Sequence, residues 1–100
     1  MREKVASISE IKPGQCKTVE VGGVAVAIFN IKGQFYAVAD SCTHMGAPLS
    51  TGYTANGTIT CEWHGATFDL TTGEALCAPA KDPLAVYKLY INGDDLEIEY

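Results

Sequence analysis

Apolar and β-branched residues in this chain come in short runs, alternating with polar positions and cut by glycine turns. This is the punctuation of an antiparallel β protein. The runs Cys16 to Val21 and Val24 to Ile31 flank Gly22-Gly23, a two-residue hairpin signal. Lys32-Gly33 then turns the chain into a third run, Gln34 to Asp40. Near the C-terminus, Tyr87 to Ile91 and Asp95 to Glu99 flank Asn92-Gly93-Asp94, which predicts another hairpin. Leu96 and Ile98 alternate there with Glu97 and Glu99, as a half-buried strand requires. Helical periodicity is nearly absent, and Ser7 to Ile11 predicts only a single turn ahead of Pro13-Gly14.

Between residues 41 and 83 the pattern changes. This stretch is rich in Gly, Thr, Pro and Ala, and only Thr58 to Thr60 and Thr67 to Asp69 look like strands. The prediction is a single all-β domain over residues 1–100. Residues 1–40 and 84–100 form a β scaffold, and residues 41–83 form a loop-rich insert that carries the site.

Composition narrows the function classes. With 12 acidic against 7 basic residues the formal charge is −5, and no basic stripe is present to neutralise phosphates, so nucleic acid is not an expected partner. Met1-Arg2-Glu3-Lys4 is followed by no apolar stretch of signal-peptide type, and no apolar run approaches the ~18 residues of a membrane span. A cytoplasmic chain is expected. The four cysteines do not read as a secreted disulfide framework, because two of them sit in ligand-like spacing with histidine.

Those two define the candidate chemistry. Cys42-Thr43-His44-Met45-Gly46 and Cys61-Glu62-Trp63-His64-Gly65 hold the only two histidines of the chain. The pattern is Cys-x-His, sixteen intervening residues, then Cys-x-x-His. Two thiolates and two imidazoles complete a tetrahedral zinc site. They equally complete an asymmetric [2Fe–2S] site, with cysteine on one iron and histidine on the other. The ligand set alone leaves both open. Gly46 and Gly65 follow the two ligand pairs, where a side chain would obstruct the backbone from wrapping a cluster closely. With neutral imidazoles, two thiolates cancel the +2 of an oxidised cluster core. Such a site accepts an electron more readily than a four-cysteine one.

The two segments and their spacing resemble the Rieske iron–sulfur family. The resemblance runs over essentially the whole chain. It includes the Gly-Gly hairpin, Phe35-Tyr36-Ala37-Val38 leading to the first ligand loop, Gly46-Ala47-Pro48-Leu49, His64-Gly65 followed by Phe68-Asp69, and Pro79-Ala80 before the last hairpin. It implies a small antiparallel β-sandwich with a cluster-binding subdomain and one [2Fe–2S] cluster per chain. In that arrangement Cys42 and Cys61 bind one iron, and His44 and His64 the other. Departures from the family pattern narrow it further. The cytochrome bc and b6f type carries an extra, disulfide-linked cysteine in each loop, where this chain has Ala47 and Trp63. That type also has a serine and a tyrosine hydroxyl where this chain has Ala66 and Phe68. The chain is similar instead to the soluble Rieske-type ferredoxins of bacterial aromatic-ring dioxygenase systems. The resemblance therefore implies a monomeric one-electron carrier between a flavoprotein reductase and a terminal oxygenase or other redox enzyme. It implies no catalytic residues of its own, since a mononuclear-iron oxygenase site needs two further histidines and a carboxylate.

Two other functions share the same ligands: an accessory redox subunit of a larger enzyme such as nitrite reductase, and a structural zinc domain. Cys16 and Cys77 read as small packed thiols, with a disulfide between them as the alternative. Trp63, Met45, Pro48, Leu49 and Pro79 are expected to line the loops and to face a partner. Asp40, Glu62 and Asp69 are expected on solvated faces.

Overall fold

The longest run of the pattern, Val24–Ile31, becomes a strand buried on both sides, and the architecture follows from it. The computed structural model describes residues 2–40, 52–55, 57–61, 66–77, 83 and 85–99. These form ten strands: β1 (Arg2–Ser7), β2 (Cys16–Val21), β3 (Val24–Ile31), β4 (Gln34–Ala39), β5 (Tyr53–Ala55), β6 (Thr58–Thr60), β7 (Thr67–Asp69), β8 (Ala75–Cys77), β9 (Val86–Asn92) and β10 (Asp95–Glu99). One 3₁₀ turn, Ile8–Glu10, follows β1. Six strands pair in the order β1-β10-β9-β4-β3-β2, and four in the order β5-β6-β7-β8. Each pairing is antiparallel.

Turn chemistry sets the registers. Val21 opposes Val24 across Gly22-Gly23, whose φ angles of 57° and 81° are those a type I′ turn requires. Ile31 opposes Gln34 across Lys32-Gly33. The last hairpin turns in two residues rather than three. Asn92 opposes Asp95, leaving Gly93-Asp94 as the turn with Gly93 at φ 64°.

Alternation along β3 separates two cores. Val26 and Ile28 face one way and join Ala6, Ile11, Val21, Ala37, Leu96 and Ile98. This cluster draws on both edge strands of the six-stranded sheet, β1 and β2, so the sheet curls around it. Ala27 and Phe29 face the other way and join Val38 with Ile59, Cys61, Ala66, Phe68 and Leu70 from the small sheet and its turns. The two sheets are therefore stacked through this second core. Each large side chain taken fully out of water there contributes about 1.5–3 kcal/mol.

Asn30 is the buried polar residue among these strands, 4% exposed. Its Nδ2 donates to Ile11 O at 2.7 Å, and its Oδ1 accepts from Gly33 N at 2.8 Å. It thereby pins the β3–β4 turn to the segment before β2. No buried side-chain polar atom among the described residues lacks a partner.

Three strands go beyond the sequence expectation: β1, β5 and β8. The polar β1 edge is held by Arg2 with Glu97 at 3.8 Å and Lys4 with Asp95 at 3.1 Å. The Arg2 guanidinium also lies 3.6 Å from the centroid of the Tyr90 ring. Among the described residues, no helix is long and apolar enough to cross a membrane.

Candidate metal centre

Cys61 is placed by the β6–β7 hairpin. Ile59 opposes Phe68 and Thr60 opposes Thr67. Ile59 and Phe68 are fully buried, so the period-2 alternation of the strand turns Cys61 and Ala66 to the same, inner face. Cys61 is 1% exposed and its N–H donates to Ala66 O at 2.7 Å. This bond closes the mouth of the segment that carries His64 in the sequence. At the other end of the hairpin Leu70 N donates to Gly57 O at 2.9 Å. Thr60 and Thr67 lie on the opposite face, half-buried, with their Oγ1 atoms 3.1 Å apart.

The root of the first expected ligand segment is equally fixed. Ala39 N donates to Ala85 O at 2.9 Å, and Asp40 N to Ala25 O at 2.9 Å. The Asp40 carboxylate accepts from Thr18 Oγ1 at 2.9 Å. The chain is thus anchored two residues before Cys42. Cys42, His44 and His64 lie outside the described residues, as do Ala47, Met45, Pro48, Leu49, Glu62, Trp63 and Pro79. Of the four expected ligands the described residues place Cys61. They bring no group of three or more His, Cys, Asp or Glu side chains together for a metal ion.

The surroundings of Cys61 suit a metal-bound sulfur. A thiolate among Ile59, Ala66 and Phe68 is out of water, and burying such a charge is costly unless a cation neutralises it. A coordinated metal does this and holds the sulfur deprotonated. Cys16 differs. It is half-buried against the same core, and burial, then the Asp40 charge, push its thiol above the ordinary value, so it stays protonated at neutral pH. Cys77 sits on β8, opposite Thr67.

Asp69 does more than face solvent. Its Oδ1 accepts from Thr71 N at 2.7 Å and from Thr72 N at 3.1 Å, which builds the β7–β8 turn. The threonines Thr18, Thr60 and Thr67 were not singled out by the ligand pattern. The one local signal for them is that Thr60 and Thr67 directly flank the Cys61–Ala66 segment.

A sequence profile described as the Rieske [2Fe-2S] domain matches residues 1–88. The chain belongs to the Rieske [2Fe–2S] family. The ferredoxin subunit of 3-phenylpropionate/cinnamic acid dioxygenase from Escherichia coli (strain K12) is 39% identical over 93 residues, covering 92% of this chain and 87% of that protein. A ferredoxin of Sphingomonas yanoikuyae B1 superposes with a TM-score of 0.92 at 28% identity, over 100% of this chain and 99% of that one. A chain from a complex of reduced oxygenase and oxidised ferredoxin in carbazole 1,9a-dioxygenase gives a TM-score of 0.89 at 33% identity, over 97% and 91% of the two chains.

The cofactor of this Rieske chain is accordingly one [2Fe–2S] cluster, not zinc, and the chain is an electron-transfer protein rather than a catalyst. Ala66 and Phe68, both fully buried beside Cys61 in the shared core, offer no hydroxyl to it.

Proposed function

We propose that this chain is the ferredoxin component of an aromatic-ring dioxygenase system. It takes single electrons from a flavoprotein reductase and delivers them to a terminal oxygenase. In this reading Cys42 and Cys61 hold one iron of the cluster, and His44 and His64 the other. The cluster supplies a one-electron store whose potential lies above that of four-cysteine ferredoxins, because two imidazoles replace two thiolates. The protein's part is to hold the ligands, exclude water from the sulfur side and offer the histidine side to partners. Residues 41–83 act as the cluster-binding insert, and residues 1–40 and 84–100 as its scaffold. The chain works as a cytoplasmic monomer.

The observation that carries the ligand assignment is Cys61, buried to 1% at the mouth of the hairpin segment that leads to His64. The choice of partner is supported by the likeness to a dioxygenase ferredoxin subunit over 92% of the chain.

The test is compositional and then functional. The purified chain is expected to contain about two iron and two acid-labile sulfide per molecule, as the cluster requires. Cys61→Ala is expected to lose both, and with them part of the stability, because ligand binding is coupled to folding. A cluster retained in full by Cys61→Ala would overturn the assignment. Rapid mixing of the reduced chain with an aromatic-ring oxygenase should oxidise it. Failure with every such oxygenase, together with rapid reduction of a nitrite reductase, would move the chain to the accessory-subunit reading.

A further inference from the structure

Two neighbouring strands of the large sheet part company. β4 and β9 pair where Ala37 opposes Tyr87 and Val38 opposes Val86. Before Ala37, Gln34 to Tyr36 stay paired with β3, and beyond Tyr87, Lys88 to Asn92 pair with β10. The strands therefore splay, and the sheet has a gap at this end. Period-2 alternation puts Ile91 on the face of Tyr87 and Leu89, which pack against the core of Val26 and Ile28, yet Ile91 is exposed. The segment from Ile8 to Ile11 borders the gap and is tied at both ends. Ile8 N donates to Asp94 O at 2.8 Å, and Ile11 O accepts from Asn30 Nδ2 at 2.7 Å. Between this segment and Phe35 of β4 a recess of about 400 Å³ is left open. Its floor includes the buried Ile11 and Asn30, its walls the half-buried Ile8 and Phe35.

We propose that this recess is a binding site for one small, uncharged aromatic molecule of one or two rings. Its volume lies at the lower end of those of small-molecule sites. Both ends of the Asn30 amide are already bonded, to Ile11 O and Gly33 N, so the floor presents apolar surface. Apolar recesses hold water poorly and take up ring compounds. Phe35 supplies an aromatic wall, against which a ring packs better than an aliphatic chain of equal area. The rim selects the charge. Lys12 and Asp94 stand there, exposed, one of each sign. Glu10, from the bordering segment, is already paired with Lys17. These charges sum to zero, so an anion or a cation gains no net attraction and loses hydration on entry. The site uses none of the expected cluster ligands and stands independently of the electron-carrier reading.

Indole is the probe, being uncharged, two-ringed and water-soluble. The oxidised, cluster-loaded chain is titrated with it and followed by amide NMR spectra and thermal unfolding. A one-to-one complex with a sub-millimolar Kd is expected. Shifts should concentrate at the amides of Ile8 to Lys12, Asn30, Phe35 and Asp94, and saturating indole should raise the unfolding temperature. Ser9, also at the rim, is exposed. Ser9→Trp sets a ring into the mouth from that position and should weaken binding about tenfold or more. Phe35→Leu keeps apolar cover, removes the aromatic wall and should weaken binding severalfold. If that variant fails to fold, Ser9→Trp decides. Indole-3-acetate and tryptamine carry the same rings with one negative or one positive charge, and both should bind less tightly than indole. Tighter binding of either would overturn the uncharged class. The absence of any shift would overturn the site, as would equal binding by wild type and Ser9→Trp, which would mark an adventitious contact elsewhere. A wild-type dimer in sedimentation that Ser9→Trp dissociates would make the recess an interface between copies and overturn it too.

Discussion

Cys61 reaches its place because Ile59 and Phe68 are buried on the same face of the hairpin. The same register brings Ala66 and Phe68 beside it, and these two residues set the expected redox behaviour. Neither has a hydroxyl to donate to the reduced cluster, so the potential is expected near the low end of the Rieske range, roughly −150 mV. Ala66→Ser and Phe68→Tyr together should raise it by several tens of millivolts, measured by voltammetry at neutral pH. A tenfold shift in a one-electron couple is ~59 mV, or about 1.4 kcal/mol, the scale of one hydrogen bond to a charged group. Burial adds a second reading of the same variant. Phe68 is fully buried, so a tyrosine hydroxyl there is without water. If the cluster accepts its proton, the loaded variant keeps its stability, whereas cluster removal should expose a cost of about 1–3 kcal/mol. Equal costs with and without cluster, and an unchanged potential, would mean that the hydroxyl points elsewhere. The family was visible in the residues alone, because Cys-x-His and Cys-x-x-His are local patterns. The anchoring by Thr18 was not, since its partner Asp40 is 22 residues away in the chain and meets it only through β2, β3 and β4.

At the scale of elements, legibility followed the strength of alternation and turn signals. β2 and β3 begin and end where the apolar runs do, because glycine turns punctuate them. β1 is charged at Arg2, Glu3 and Lys4 and has no apolar period, so its pairing comes from β10 and the ion pairs across them. β5 and β8 are three residues each, as are β6 and β7, but lack the single apolar residue between polar ones that marks Thr58-Ile59-Thr60 and Thr67-Phe68-Asp69. The β3–β4 turn shows a compromise that the sequence hides. Lys32 adopts φ 54°, the left-handed region that costs a residue with Cβ about 1–2 kcal/mol. Asparagine tolerates that region and makes the favoured Asn-Gly pair of a type I′ turn. Lys32→Asn is therefore expected to stabilise the protein by about 0.5–1 kcal/mol, read as a rise in the denaturation midpoint at unchanged slope. A neutral or lower midpoint would show that the Lys32 side chain makes a compensating contact. The 3₁₀ turn responds to pH instead. The side-chain bond from Lys17, and then the Ser7 N–H, hold the Glu10 carboxyl below its ordinary value. A lowered carboxyl stabilises the fold above the ordinary value of 4.5, and that contribution fades as pH falls through the folded-state value. Glu10→Gln is thus expected to unfold at lower temperature than wild type at pH 7, with the gap narrowing below about pH 4.5 and in high salt.

For the whole molecule the question is which surface a redox partner covers. The radius of gyration is 12.6 Å, that expected of about 100 packed residues, and the longest extent is 39 Å. Electron transfer weakens steeply with distance, so a partner seated at the far end of such a body does not exchange electrons at a useful rate. The apolar side chains exposed on the scaffold therefore compete with the expected ligand loops for the role of docking site. Ile91 is the most exposed of the large apolar side chains described, at 59%. It lies on β9, five residues beyond Val86, and Val86 opposes Val38 close to the root of the first ligand segment. At about 3.3 Å per residue, Ile91 is roughly 17 Å further along the strand. Leu49 instead follows the first ligand pair by five positions in the sequence. Leu49→Glu is expected to slow electron transfer to the oxygenase severalfold while leaving absorption spectrum and potential unchanged, because Leu49 is read as part of the docking surface and is not one of the expected ligands. Ile91→Glu is expected to transfer electrons at the wild-type rate. Stopped-flow oxidation of both reduced variants by the same oxygenase reads the comparison directly. A slow Ile91→Glu beside a normal Leu49→Glu would place the partner on the scaffold, and the electron would then have to cross β9 and the stacked core to reach it.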